Sequence, residues 1–323
     1  MSDRGTLFMF PLPAGRTLVV GDVPDQHDAS NENPVIEGIQ ALVDACGAPN
    51  MKIGDVRWLS YFRINYRMAR HYRHERTFLA GDAAHIHSPL GGQGMNTGIQ
   101  DAYHLAWKLA LVYRGHASSA LLDSYEKERH AVAEDVLETT RRMTEFTEAF
   151  TQLCGTDREK LYFHAVVPEA ERIHSLRHGE ELDLDYRKSP ICSEHFDRHL
   201  KASRTGPHAG AEALDAGPIQ VNNQILTLFQ LLRGTKSTLL LFVGRQNKQA
   251  PRAALTDLAA QVVQSYGNHI AIYLVAIGST EIAVGLPVGV SAVYDPEKAL
   301  HRRYGATDES LNLGLLRRMC AMH

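Results

Sequence analysis

The sequence predicts an α/β protein, and three stretches carry that prediction. Residues 78–110 join a short apolar strand to a Gly-rich turn and a helix-periodic run. Residues 237–277 place two continuous apolar strands on either side of a helix-length segment, and the first twenty residues alternate apolar runs with Pro and Gly. At 323 residues the chain is long enough for two folded units of about 100–200 residues each.

In chain order, Thr6–Phe10 and Thr17–Val20 read as strands around the punctuation PLPAG, a hairpin that must join a larger sheet because two strands alone are marginal. After the polar Asp25–Asn33, Pro34 with Val35, Ile36, Ile39, Leu42 and Val43 fits a short one-sided helix, ended by Gly47 and Pro49. Val56–Met68 alternates through Trp58, Ser60, Phe62, Ile64 and Tyr66, which predicts a strand whose aromatic face needs a core or a bound ring. Phe78–Ala80 is a buried-type strand leading into Gly81 and Asp82. Ile99, Ala102, Leu105, Ala106, Leu109 and Ala110 then predict a helix with an apolar inner face down to Gly115, capped by Asn96 or Thr97. A second helix, about Ala120–Thr151, buries Leu121, Leu122, Tyr125, Val132, Val136 and Leu137. From Gly155 to Gly217 the pattern breaks up, as a connection or a peripheral part of the first unit. Ser237–Val243, a helix over Arg252–Ser265 and His269–Ile277 predict a parallel βαβ element in a separate small domain, followed by a turn and helix over Tyr294–Tyr304.

Composition narrows the function classes. With 44% hydrophobic and 22% charged residues the chain has the balance of a soluble globular protein, and a formal net charge of -3 provides no general attraction to nucleic acid or acidic lipid. Arg63, Arg67, Arg70, Arg73 and Arg76, with His71 and His74, read as a solvated face, because no recognition helix or aromatic interleaving accompanies them. No apolar run approaches the roughly 18 residues of a membrane span, and MSDRGTLFMF lacks the flanks of a signal peptide, so the expected address is the cytoplasm. Cys46, Cys154, Cys192 and Cys320 lie far apart without a CxxC or zinc spacing, which predicts reduced thiols; the histidines form no HExxH, so no metal site is expected.

The loop after Phe78 holds the chemistry. Asp82 ends a strand, where its carboxylate can accept from ligand hydroxyls or serve as a turn residue. Gly91, Gly92 and Gly94 let backbone N–H groups approach a ligand at a helix start, or simply make a tight turn. Pro89 stiffens the wall between them. Asn96 carries donor and acceptor groups close to the helix's positive end. His85 and His87 have no partnered nucleophile and read as structural rather than catalytic.

GDAAH, SPLGGQGMNTGIQDA, LAWKLA and, further on, LLDSYEKERHAVA stand in this chain in the order and spacing of the FAD-dependent aromatic hydroxylases. The chain resembles that family, the para-hydroxybenzoate hydroxylase-like group, and within it the phenol hydroxylase and chlorophenol monooxygenase branch. SRTGPHAG and YDPEKALHRRYGA are similar to that branch's thioredoxin-like C-terminal domain. The resemblance implies a partial flavin-monooxygenase fold: 1–76 as part of the substrate-binding region, 77–155 as the second half of the FAD-binding domain, 156–217 as connection, and 218–323 as an incomplete thioredoxin-like domain. It implies FAD as cofactor, NADH or NADPH as reductant, and O2 and a small aromatic substrate as partners, with one oxygen atom transferred to the ring. Asp82 would bind the ribityl or adjacent diphosphate region, Pro89 would lie beside the reactive edge, and Gly92, Gly94, Met95 and Asn96 would meet the ring carbonyls. Phe62 and Tyr66 would face substrate or core. A homodimer is a further implication.

The chain departs from the family in having no GxGxxG after an N-terminal strand and in ending LLRRMCAMH. The expectation is therefore a fragment that begins inside the substrate-binding region. Two other readings stay open: half of a split flavoprotein completed by a separate GxGxxG-containing chain, and a non-enzymatic binding or structural remnant. Disulfide exchange is not expected, since only Cys320 follows Lys236.

Overall fold

The computed structural model describes residues 7–21, 35–45, 50–89, 92–152, 184–194, 206–243, 249–277, 285–306 and 312–316. They belong to two units that divide between Glu181 and Leu182. Most of the 155–217 stretch, and Cys46, Cys154 and Cys320, lie outside the described residues.

In the first unit, β1 (Leu7–Leu12) and β2 (Arg16–Gly21) form the expected hairpin, antiparallel with Leu12 opposite Arg16. Among the described residues it remains a two-stranded sheet and joins no larger one. Helix α1 (Ile36–Ala45) buries Leu42 and Val43, and the Gln40 amide pins the next segment by donating to the Met51 carbonyl and accepting from the Ile53 amide, both at 2.9 Å.

The strand expected over Val56–Met68 is reduced to β3 (Arg67–Met68). The alternation is present, but no described backbone lies alongside residues 56–66 to pair with them. Trp58, Phe62 and Ile64 are left 71%, 57% and 47% exposed. Beyond it, β4 (Arg73–His74) pairs with β5 (Thr77–Phe78), and β6 (His85–Ile86) returns to pair with β3.

Helix α2 (Gly94–Tyr113) then runs into a single turn at Ser119–Leu122 and the long α3 (Asp123–Gln152). The expected cap is not used. The helix opens at Gln93, earlier than the sequence suggests, so Asn96 and Thr97 fall inside its first turn, and the Thr97 hydroxyl donates back to the Gln93 carbonyl at 2.8 Å. The inner face is also not the apolar one: Thr97, Asp101, His104 and Lys108 are buried, while Ile99, Ala102, Ala106 and Leu109 are exposed. Spacing cannot choose between two faces of one helix when α3 supplies charged partners to the polar one. On α3, Tyr125, Val132 and Val136 are buried as expected, and Ala133 with them.

The second unit is a six-stranded mixed sheet, in the order β12-β9-β10-β11-β7-β8. Its strands are β7 (Ile219–Val221), β8 (Gln224–Leu226), β9 (Ser237–Val243), β10 (Ile270–Ala276), β11 (Val290–Tyr294) and β12 (Asn312–Leu316). The predicted βαβ element is present. Helix α5 (Gln249–Tyr266) connects β9 to β10, which run parallel with Ser237 opposite Ile270. Period-two alternation sends Leu240 and Phe242 to one face with Val275, Val293 and Leu300, and Leu239 and Leu241 to the other with Leu255, Ala259 and Leu274. Burial on both faces explains why these strands read as unbroken apolar runs. Helix α4 (Leu228–Leu231) begins with a capping box between Thr227 and Gln230, and α6 (Ala299–Arg303) fills the predicted turn-helix segment.

Candidate functional site

The chain enters the site through Leu79 and Ala80 and tightens into a helical turn, Gly81–Ala83. Gly81 has φ +59°, a conformation that side chains disfavour, and it packs on the first turns of α2 so closely that a Cβ on Gly98 would stand 3.4 Å from the Gly81 Cα. This approach of bare backbone to bare backbone places Asp82 beside the opening of α2. Asp82 is exposed, and its carboxylate has no hydrogen bond among the described residues.

The other wall is the Pro89–Gly92 turn, closed by the Gly92 amide donating to the Pro89 carbonyl at 3.0 Å with Gly92 at φ +68°. Gly91 lies outside the described residues. Pro89, Gly92, Met95 and Asn96 are exposed, and Gly94 is half-buried against the His87 ring. No side chain caps α2, and the amides of Gly94, Met95 and Asn96 make no hydrogen bond among the described residues. Three unused donors at the positive end of a 20-residue helix can meet an anion or an electron-rich carbonyl. The acceptor Asp82 and the three donors thus sit on two elements whose backbones meet at Gly81 and Gly98.

Behind this opening stands a buried polar layer that periodicity did not single out. Asp101 is fully buried. It accepts from the Gly81 amide at 2.9 Å, from His85 Nε2 at 2.7 Å and from Arg129 Nε at 2.6 Å. Burial alone would raise its carboxyl, but the His85 bond, the Arg129 charge and the Gly81 amide hold it below the usual carboxylate range. One turn further, Lys108 is ion-paired to Glu128 and bonded to the Ser124 hydroxyl at 2.5 Å, and His104 Nδ1 lies 3.2 Å from Glu128. Burial pushes His104 down, against the Glu128 hydrogen bond. Tyr125 on α3 donates to the Leu79 carbonyl at 2.8 Å, and Glu126 accepts the amides of Tyr72 and Arg73 at 2.8 and 3.0 Å, so α3 also fixes the hairpin ahead of the site. The signal was present in the sequence as a polar stripe at Thr97, Asp101, His104 and Lys108.

His85 is part of that layer. His87 donates Nδ1–H to the Ser88 carbonyl at 2.9 Å. Phe62 and Tyr66 are not gathered with the Asp82–Asn96 group by any hydrogen bond or ring contact among the described residues; the Tyr66 hydroxyl is 2.6 Å from that of Thr144 on α3.

Residues 9–140, which contain this site, match the family described as FAD binding domain. This part of the chain is similar to the corresponding part of flavin-dependent aromatic monooxygenases. The relatives agree. The 6-methylpretetramide 4-monooxygenase of Streptomyces rimosus is 43% identical over 312 residues, covering 94% of this chain and 51% of its own length. The pentachlorophenol 4-monooxygenase of Sphingobium chlorophenolicum is 34% identical, covering 78% and 44%. Among solved structures, the anhydrotetracycline hydroxylase from Streptomyces rimosus aligns at 28% identity and TM-score 0.60, over 94% of this chain and 59% of its own. The chain therefore spans about half the length of the hydroxylase relatives it matches.

Proposed function

We propose that this chain supplies the second flavin-binding segment and the C-terminal domain of a monooxygenase that hydroxylates a phenolic or other aromatic substrate, with NADH or NADPH as reductant and O2 as oxygen source. One observation carries the reading: the turn that bears the exposed Asp82 packs backbone to backbone on the start of α2, whose Gly94, Met95 and Asn96 amides make no hydrogen bond among the described residues. FAD presents ribityl hydroxyls to a carboxylate and ring carbonyls or phosphate to amides, so the donor and acceptor set fits the group. When bound, FAD supplies the redox chemistry and oxygen activation, while these residues bind and orient it. Asp82 takes the ribityl side, Gly92, Gly94, Met95 and Asn96 the ring side, and Pro89 stands at the edge. Phe62 and Tyr66 are the proposed substrate-side residues. We assign 1–76 to the substrate region, 77–155 to the flavin half, 156–217 to the connection and 218–323 to a thioredoxin-like packing or dimerisation module. A cytoplasmic address and a homodimer complete the proposal.

Titrating the chain with FAD and then following NADH or NADPH oxidation with a panel of phenols tests it. Saturable flavin uptake with phenol-stimulated oxidation is expected; a chain that takes up no flavin under any condition would refute the cofactor site.

A second reading is favoured by exposed apolar surface, namely Trp58, Phe62 and Ile64 together with the Met95, Ile99, Leu109 and Tyr113 side of α2. In it, a separate GxGxxG-containing chain covers these residues and completes the flavin site. Flavin uptake that appears only when such a chain is co-expressed selects it.

A further inference from the structure

Asp101 and Arg129 are both fully buried, and together they reach the Gly81–Ala83 turn, β6 and the start of α2. A single carboxylate oxygen, Asp101 Oδ2, accepts from the Gly81 amide and from His85 Nε2, so the residue before Asp82 and the strand after it hang from one atom. The other oxygen takes Arg129 Nε. The remaining guanidinium nitrogens return to the start of α2, one donating to Gln100 Oε1 at 3.1 Å and one to the Thr97 carbonyl at 3.2 Å. One side chain of α3 thereby grips both the opening turn of α2 and the carboxylate that holds Gly81. Apolar side chains of equal bulk could pack α2 on α3 at similar or better stability, but they could not offer the Gly81 amide an acceptor. What the pair adds is geometry.

We propose that Asp101, gripped by Arg129, is a positioning residue: it fixes the Gly81–Ala83 turn, and with it Asp82, against the start of α2 and through that sets the affinity for FAD. The FAD half of this statement rests on the function proposed above; the positioning half does not.

The test uses the full chain, with hydrogen exchange read by mass spectrometry in the absence of flavin and titration with FAD itself. In Asp101→Asn, exchange over residues 79–87 is expected to rise about tenfold while α3 and the β9–β10 sheet keep theirs. The FAD dissociation constant is expected to rise about tenfold. Arg129→Lys keeps the charge but loses the fork to Thr97 and Gln100, and should move both readings in the same direction by less. Unchanged exchange in both variants overturns the proposal, and so does local loosening with undiminished FAD affinity. Loosening that spreads over residues 67–140 in both variants overturns it as well, because the pair would then hold the fold rather than the turn. If the unaltered chain takes up no FAD, the flavin reading fails and the affinity half falls with it. A local rise at 79–87 in Asp101→Asn would still uphold the positioning of the turn.

Discussion

Two residues of this site play opposite parts. Asp82 is exposed and unused by the fold, so Asp82→Ala should change unfolding free energy by no more than about 0.5 kcal/mol while weakening FAD binding. Flavin titration beside a denaturant melt checks this, and equal FAD affinity would remove Asp82 from the site. His104 is buried in the polar layer, and burial lowers its pKa below 6.5. As pH falls through about 6.5 the unfolded chain takes up that proton first, so stability complete above this value is lost as acid is added. Asp101 acts further down: its depressed carboxyl stabilises the fold above about pH 3.9 and is lost as pH falls through its folded value. His104→Gln is therefore expected to flatten the dependence of melting temperature on pH just below about 6.5 and to leave the lower acid limb in place. A profile that keeps its slope in that interval counts against His104. Asp82, Gly94 and Asn96 were singled out through the motif resemblance, since a carboxylate and glycines before a helix serve equally well as turn residues. Asp101 and Arg129 were not, since a buried ion pair is made of residues that composition assigns to the surface.

At the scale of elements, the site depends on the Gly81–Ala83 turn fitting against α2. Gly81→Ala would impose a left-handed backbone on a side chain at about 1–2 kcal/mol, or swing the turn away from Gly98. Lower thermal stability and weaker FAD uptake should appear together; a variant that melts and titrates like the unaltered chain would mean the turn is not held there. The elements themselves were unevenly legible. The parallel pair β9 and β10 announced itself, because strands buried on both faces leave unbroken apolar text in STLLLFV and IAIYLVA. The alternation through Trp58, Phe62 and Ile64 misled, since alternation records a preference for one covered face and not the presence of a neighbour to pair with. Helix α2 was placed correctly but faced wrongly: its apolar residues formed the clearer stripe, and the choice of inner face was made by Glu128 and Arg129 on another helix.

At the scale of the whole molecule, the two units carry their apolar surface differently. The second buries two apolar clusters on the two faces of one sheet and exposes scattered side chains such as Ile225 and Val288, whereas the first leaves large side chains exposed together along residues 56–64 and one side of α2. Trp58→Ser and Phe62→Ser are accordingly expected to leave stability within about 0.5 kcal/mol and to reduce binding of an apolar dye; a loss of several kcal/mol in a urea melt would show that these residues are packed in solution. Fold class was legible from the apolar strand runs and length suggested two units, which divide between Glu181 and Leu182 and so ahead of the change of pattern near residue 218, while the covering of each surface depends on groups that sequence spacing does not encode. The order of the second sheet has a consequence for synthesis. Strand β9 is bordered on one side by β10 and on the other by β12, which follows the sheet's other strands in sequence. While a nascent chain is still held in the ribosome, β9 and β10 can already pair, yet one flank of β9 keeps its amides and carbonyls bare until residues 312–316 emerge. Premature release anywhere between Tyr294 and Asn312 would leave a sticky ribbon for the quality-control machinery, so translation of residues 312–316 decides whether that flank is covered.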